Sequence, residues 1–236
     1  MPTPPVTDEE SPRFATRPPG VYDAVVALFC SLLLVSNVAA VKLIQFGPEV
    51  EVAGFPVLPI ITDGGALLFP LTYILGDVLA EVYGWRGARR AIALGFAVSV
   101  LASVTFLAVG AAPPAADWGN QEAFVAILGF VPRIVVASLA GYAVGQLLNA
   151  WVLVRLKRWT REGSLWARLL GSTLVGEAAD TTIFCIVAFA GVITGGTLVN
   201  YILVGYLYKV SVEALALPLT YRVIAAVKRR EPSYAE

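Results

Sequence analysis

The sequence predicts an all-α integral membrane protein with six transmembrane helices. The chain is 58% hydrophobic and only 14% charged, whereas a soluble domain is usually about 25% charged. Long apolar stretches alternate with connections that are either strongly basic or free of lysine and arginine. With 236 residues, the chain has room for six spans of about 20 residues joined by short connections.

The apolar stretches set the predicted spans, which cover residues 22–44, 65–84, 90–112, 131–156, 167–191 and 197–227. Pro132 divides one longer apolar stretch, because proline suits the first turn of a helix better than its interior. We therefore expect residues 123–131 to form a separate interfacial or re-entrant piece and Pro132 to begin the fourth helix. Pro218 is expected to kink the last helix. Gly141 and Gly145 have the spacing of a close contact between helices.

Three regions follow from this pattern. Residues 1–21 are rich in proline and polar residues and are expected to form a flexible cytoplasmic tail. Residues 22–228 form the six-helix transmembrane domain, and residues 229–236 form a short cytoplasmic tail. An acidic cluster at positions 8–10 precedes the first long apolar stretch, which argues against a cleaved signal peptide.

The distribution of basic residues predicts the orientation. Fourteen of the 17 lysines and arginines lie in the N-terminal tail, at the C-terminal end of the chain, or in the second and fourth connections and the span ends beside them. They are Arg13, Arg17, Arg86, Arg89, Arg90, Arg155, Lys157, Arg158, Arg161, Arg168, Arg222, Lys228, Arg229 and Arg230. The first, third and fifth connections contain only acidic residues or no charge at all. By the positive-inside rule, both termini are cytoplasmic.

Composition also excludes several kinds of chemistry. The sequence has no histidine, which rules out histidine-based acid–base catalysis and nucleophile pairs. Cys30 and Cys185 both lie in apolar segments and are expected to be small buried side chains. We therefore predict no metal site and no cofactor. Without a long charged tail, a nucleic-acid partner is not expected.

Eight ionisable residues remain inside the predicted spans. They are Lys42, Asp77, Glu81, Arg133, Glu177, Asp180, Lys209 and Glu213. A charge at the centre of a bilayer costs about 2.5–3.5 kcal/mol on insertion scales, so it normally faces a polar interior and has a partner. Most of these residues are spaced three or four apart in pairs, so that each pair shares one face of a helix.

Four of these groups are expected to meet near the middle of the membrane. At a rise of about 1.5 Å per residue, Asp77, Asp180, Lys209 and Glu213 fall at similar depth on three helices. The sequence thus predicts a polar chamber there, extended by polar neighbours. These are Asn37, Ser138, Gln146, Asn149, Ser172, Tyr206 and Tyr208. The eight charges sum to a formal −2, so either a proton or a cation is expected to complete the site.

A structural role is the alternative for these charges. A set of salt bridges could simply fix the packing of the helices. It suits best the residues near span ends, where long side chains reach the headgroups easily. Those residues are Lys42, Glu81, Arg133 and, towards the inner interface, Glu177.

Several ordered segments resemble a known family. They are Ser36-Asn37, FPLTYILGDVLAEVYG at 69–84, PRIVVASLAGYAVGQLLN at 132–149, STLVGEAADTTIFCIVAF at 172–189 and YLYKVSVEALALPLTY at 206–221. Together they resemble the queuosine precursor transporters, a branch of the vitamin uptake transporters, over roughly residues 25–225. The resemblance implies a six-helix protein of the prokaryotic inner membrane. Its helical arrangement would be similar to the substrate-binding subunits of energy-coupling-factor transporters.

The resemblance also implies a substrate and a site. The substrate would be a 7-deazaguanine precursor of queuosine, either 7-cyano-7-deazaguanine or its aminomethyl relative. The positions that match are Asn37, Asp77, Glu81, Arg133, Ser138, Gln146, Asp180 and Lys209. The chain departs from the family pattern at Asn149, where an acid is usual, and at Glu177, where an amide is expected.

The chemistry of the base agrees with these residue types. A deazaguanine offers two adjacent donors and one carbonyl acceptor on a single edge, which a carboxylate and a lysine or amide can bind. We expect Asp180 or Asp77 at the donors and Lys209, Gln146 or Asn37 at the carbonyl. Phe69, Tyr73 or Tyr206 could stack on the ring. Glu81, Arg133, Glu177 and Glu213 are candidates for coupling or gating.

Three other functions are alternatives to this one. The chain has no phosphate-binding loop of the G-x-x-x-x-G-K-[ST] type, yet it could be the membrane subunit of an ATP-driven complex. Asp77 and Asp180 could form an aspartyl protease dyad, although the segment before Asp77 lacks the first glycine of the usual Gly-x-Gly-Asp motif. A purely structural protein is disfavoured by the polar chamber. Assembly as a homo-oligomer stays open.

Overall fold

The computed structural model describes residues 20–52, 55–159, 165–193 and 195–232. Six α-helices and two strands make up most of this part of the chain. They are α1 (Tyr22–Ala39), β1 (Leu43–Val52), β2 (Phe55–Asp63), α2 (Phe69–Ala111), α3 (Gln121–Leu128), α4 (Val131–Trp159), α5 (Leu165–Phe189) and α6 (Gly195–Lys228). A short 3₁₀ turn, Gly64–Leu67, joins β2 to α2.

The helix α2 covers two of the predicted spans. Its 43 residues are interrupted by one non-helical residue, Gly84, with φ 67° and ψ −177°. The helix kinks at this position, so residues 69–83 and 85–111 form separate helical segments. A positive φ is readily adopted by glycine and rarely by other residues, which explains a break at this point of the sequence.

Pro132 and Pro218 occupy different positions in their helices. The expected separate piece before Pro132 is the short helix α3, and α4 begins at Val131 with Pro132 in its first turn. A separate piece before Pro132 and the first-turn position of Pro132 are thus confirmed, and an interfacial or re-entrant position of α3 stays a prediction. Helix α6 continues through Pro218 to Lys228.

Four helical stretches of the described residues are long and apolar enough to cross a membrane. They are Tyr22–Ala39, Arg86–Ala111, Gln121–Gly145 and Gly195–Lys228. Large apolar side chains on these helices point outward, among them Leu101 and Leu215, which are 66% and 80% exposed. Such surfaces are unfavourable in water and suit lipid. The protein is therefore a multi-pass membrane protein.

The end of the first predicted span is wrong. Helix α1 ends at Ala39, and the residues from Leu43 onward form an antiparallel hairpin that the all-α prediction did not contain. In its register Leu43 faces Asp63 and Val52 faces Phe55, with irregularities between Phe46 and Glu51. The segment is apolar enough to resemble the end of a span, but its strands pair with each other.

The hairpin defines one end of the bundle, and the kink at Gly84 defines the other. At the hairpin end, a buried apolar cluster joins α4, α5 and α6 through Ile134, Phe189 and Tyr201. At the kink end, a second cluster joins α1 to α2 through Phe29, Val78 and Leu79. These clusters hold the helices together on either side of an internal cavity.

Close approach of α4 to α5 depends on two glycines. A Cβ atom added at Gly141 would lie 2.7 Å from Asp180 Oδ1, and one added at Gly145 would lie 2.9 Å from the Asp180 Cβ. The predicted packing role of this glycine pair is thus confirmed. It brings α4 directly against the charged face of α5.

Candidate functional site

The candidate site is a cavity of about 490 Å³ between the helices. Side chains from α1, α2, α4, α5 and α6 line it, together with the last residues of β2 and the 3₁₀ turn. Its volume lies within the range of about 300–1,000 Å³ that is usual for small-molecule sites. The cavity extends from Asp63 at the hairpin end to Ala88, which follows the kink.

A lysine stands at the centre of the charges in this cavity. Lys209 of α6 donates a hydrogen bond to Asp180 of α5, and its Nζ lies 3.6 Å from Glu177 Oε2. The other oxygen of Glu177 accepts a 2.6 Å hydrogen bond from the Tyr73 hydroxyl of α2. The cation and the two carboxylates therefore connect α5 to α6, as opposite charges in a membrane are expected to do, and the Tyr73 hydroxyl extends the connection to α2.

An aromatic pair flanks the same lysine. Its Nζ lies 4.8 Å from the centroid of the Phe69 ring, within the range of a cation–π interaction. The Phe69 and Tyr73 rings are 4.0 Å apart. Both line the cavity, as two of the three predicted stacking residues. Tyr206, the third, is not among the lining residues.

An amide ties three helices together on another side of the cavity. Asn37 of α1 is 4% exposed. It donates to Ser99 Oγ of α2 at 3.4 Å and accepts from Ser138 Oγ of α4 at 3.1 Å. The two predicted residues Asn37 and Ser138 are therefore brought together, and both line the cavity.

Asp77 and Glu213 also line the cavity. The structure thus brings together all four groups that were expected at similar depth, since Asp180 and Lys209 line it too. The side chain of Gln146 lies outside the described part of the structure, as do those of Asn149 and Ser172.

Two candidates for gating lie away from the cavity. Glu81 is exposed and forms a 2.7 Å ion pair with Lys228 near the kink end. Arg133 donates to the carbonyl oxygens of Val187 and Ala190, at 2.8 and 2.6 Å. The guanidinium satisfies carbonyl oxygens at the C-terminal end of α5, and its positive charge interacts favourably with the negative end of the helix dipole. Neither residue lines the cavity.

Sequence reasoning missed the part that the hairpin plays. Asp63 looked like an ordinary loop acid, but it is 9% exposed. It accepts hydrogen bonds from the Gly65 and Ala66 amides, and Tyr201 of α6 donates to its other oxygen at 2.5 Å. Tyr208 donates to the Ala66 carbonyl at 2.9 Å. The only signal in the sequence was the Asp-Gly-Gly run, which suits a capped turn.

Apolar helices around a charged internal cavity define this chain as a membrane transport protein. Comparison with known proteins gives the family. A family model described as "Putative vitamin uptake transporter" matches residues 63–223, and the chain belongs to this family. Its members are transporters and not enzymes, which excludes the protease hypothesis; Asp180 is paired with Lys209 in any case.

Curated relatives point in the same direction. The chain is 33% identical over 172 residues, or 72% of its length and 74% of the relative's, to the "Probable queuosine precursor transporter" of Bacillus subtilis (strain 168). It is 31% identical over 164 residues, or 70% of its length and 67% of the relative's, to the "Queuosine precursor transporter" of Escherichia coli (strain K12). No solved structure matches the chain significantly.

Proposed function

We propose that this protein imports 7-deazaguanine precursors of queuosine across the prokaryotic inner membrane. The observation that carries the proposal is the group formed by Lys209, Asp180 and Glu177 beside the Phe69 ring, inside a cavity of about 490 Å³. The names of the curated relatives supply the substrate. Both 7-cyano-7-deazaguanine and its aminomethyl relative are within the proposed substrate class.

The cavity has the functional groups that such a base requires. Carboxylates can accept from the two adjacent donors of the deazaguanine edge, and lysine or amide groups can donate to its carbonyl. An aromatic face can stack on the bicyclic ring. We assign binding to Asn37, Asp77, Asp180 and Lys209, and also to Gln146.

The transport cycle would proceed by alternating access within six spans, with both termini in the cytoplasm. Among the charged residues that line the cavity, five are acids and one is a base. They are Asp63, Asp77, Glu177, Asp180, Glu213 and Lys209. An excess of buried carboxylates favours uptake of a proton, so we propose Glu177 and Glu213 as coupling residues. Glu81 and Arg133 would act at the helix ends, where contacts change as the helices move.

Queuosine in tRNA gives a direct test. The host is a bacterium that lacks both precursor synthesis and its own transporter, grown with scarce external precursor. Wild-type protein should restore queuosine, whereas Lys209→Ala should abolish restoration. Lys42→Ala is the matched control, because Lys42 is exposed and lies outside the cavity lining.

Two outcomes of this test would count against the proposal. A well-expressed wild-type protein that restores no queuosine would contradict the proposed substrate. Wild-type restoration by Lys209→Ala would remove Lys209 from the site. In the same cells, unchanged precursor accumulation after the proton gradient is collapsed would contradict proton coupling and favour facilitated diffusion.

A further inference from the structure

One carboxylate oxygen of Glu177 accepts a hydrogen bond, and the other does not. Oε1 accepts from the Tyr73 hydroxyl. Oε2 is buried and receives no hydrogen bond, and the nearest cation, Lys209 Nζ, is 3.6 Å away. Leaving a buried charged acceptor without a hydrogen bond is costly. An incompletely bonded carboxylate in a cavity wall therefore indicates a place for a donor.

A second acceptor on the same face of α5 also lacks a partner. Thr181 is one helical turn beyond Glu177, is 2% exposed and lines the cavity. Its hydroxyl oxygen is buried and has no hydrogen-bond partner among the described residues. Residues four apart on a helix lie on one face. Because both residues line the same cavity, a molecule that reorients the two side chains can place adjacent donors against their oxygens.

The oxygens of Asp180 have other contacts, although Asp180 lies between Glu177 and Thr181 in the sequence. Its Oδ2 accepts from Lys209. Its Oδ1 lies against α4, only 2.7 Å from where a Cβ of residue 141 would be. Oδ2 is therefore paired with the lysine, and Oδ1 packs beside Gly141 of α4. The carboxylate of Asp180 acts as the counter-ion that holds Lys209 in place.

Resting on the proposed function, we infer that Glu177 is the residue that recognises the amine edge of the substrate, whereas Asp180 contributes to binding by holding Lys209 in place. Its carboxylate would accept the ring N–H and one hydrogen of the exocyclic amine of the deazaguanine. Thr181 would accept the other hydrogen of the amine. The substrate class is therefore a bicyclic base whose amine is adjacent to a ring N–H, as in guanine-type rings and not in hypoxanthine-type rings.

The Tyr73 hydroxyl would then compete with the base for Glu177. Its hydroxyl occupies Oε1 of Glu177, and a carboxylate must expose both oxygens to bind two donors at once. The entering base would displace this hydroxyl, while the Tyr73 ring stays beside Phe69 to pack against the base. Removing the Tyr73 hydroxyl should therefore strengthen binding of the base. Removing the charge of Glu177 should instead remove the preference for bases that carry the amine.

Binding of two ligands to purified protein tests this inference without depending on transport. The ligands are 7-cyano-7-deazaguanine and its analogue without the exocyclic amine, titrated calorimetrically in detergent. Wild-type protein should prefer the amine-bearing ligand by tenfold or more, about the ratio that one hydrogen bond to a charged group supplies. Glu177→Gln should reduce this preference about tenfold, and Thr181→Val should reduce it more modestly. Tyr73→Phe should bind the amine-bearing ligand several-fold more tightly.

Two further variants serve as controls. Glu122→Gln changes an exposed acid outside the cavity and should behave as wild type. Asp180→Asn should weaken both ligands by the same factor. The inference is overturned if Asp180→Asn removes the preference while Glu177→Gln and Thr181→Val keep it, or if wild-type protein binds both ligands equally. If wild-type protein binds neither ligand, the proposed function itself fails, and this inference with it.

Discussion

At the scale of single residues, the charged groups that line the cavity compensate one another. The cation of Lys209 is shared by Asp180 and Glu177, and it lies over an aromatic face. The side chains of the three charged residues are only 15–21% exposed. Removing one partner from such a group leaves the rest uncompensated, which costs more than the pair contributes when it is intact.

This imbalance gives a prediction for stability. Lys209→Met should destabilise the protein by about 3–5 kcal/mol, since it leaves two carboxylates without their cation. Asp180→Asn should cost less, because Glu177 remains near the lysine. The double variant should recover part of the loss of Lys209→Met, since residues in contact are not additive. Thermal unfolding in detergent measures all three variants. A double variant whose loss of stability equals the sum of the two single losses would show that the pair is not coupled.

The position of these residues was predictable, but their partners were not. Spacings of three and four along α5 and α6 placed Glu177, Asp180, Lys209 and Glu213 on inward faces. The bonds from Tyr73 to Glu177 and from Tyr201 to Asp63 join residues that are 104 and 138 positions apart. Helical periodicity carries no information about such pairs, because they depend on how whole helices lie against one another.

At the scale of elements, the hairpin is part of the cavity wall. Its last residue, Asp63, holds the 3₁₀ turn through the amides of Gly65 and Ala66. Ser36 of α1 donates to the Gly65 carbonyl at 3.2 Å, and Tyr201 and Tyr208 of α6 bond to the other side of the turn. The turn is therefore a link between the first and last helices of the described bundle.

Weakening this link should loosen the wall of the cavity. Tyr201→Phe would leave a buried oxygen of Asp63 without its partner, which is unfavourable by about 1–3 kcal/mol or more. Cys185 offers a natural reporter, because it is 1% exposed, lines the cavity and packs in the cluster of Tyr201. In a Cys30→Ser background, a thiol reagent should label Cys185 faster in Tyr201→Phe than in the parent protein.

A matched substitution separates local loosening from a general effect. Tyr221→Phe removes the same hydroxyl from a side chain that is 68% exposed, so labelling of Cys185 should not change. Equal acceleration in both variants, or none in Tyr201→Phe, would contradict a structural role for the bond between Tyr201 and Asp63.

The hairpin also shows why one element escaped prediction. Its segments LIQFGPEVEV and FPVLPIITD lack the strict alternation of a half-buried strand, and proline interrupts both. Pairing is irregular between Phe46 and Glu51. Because the first strand continues an apolar run directly from α1, the sequence suggested a longer helix. The long helices, in contrast, were predictable from length and hydropathy alone.

At the scale of the whole molecule, charge should fix the orientation in the membrane. The only two cysteines of the chain are Cys30 and Cys185, and replacing both gives a background for site-specific labelling. By the positive-inside rule, Glu49→Cys and Asp117→Cys should react with a membrane-impermeant reagent added to intact cells. Arg229→Cys should react only after the cells are opened. All three positions are exposed, so access is set by the membrane. Labelling of Arg229→Cys in intact cells would contradict a cytoplasmic C-terminus.

The kink at Gly84 has a consequence for how the protein enters the membrane. A straight helix of the 43 residues of α2 would be about 65 Å long, roughly twice the thickness of the hydrocarbon layer. The arginines at 86, 89 and 90 would then lie at a depth that no bilayer accommodates well. With its backbone in a conformation that suits glycine, Gly84 instead divides the segment beside those arginines. During biosynthesis the two halves can thus insert one after the other, with the arginine cluster left at one surface of the membrane.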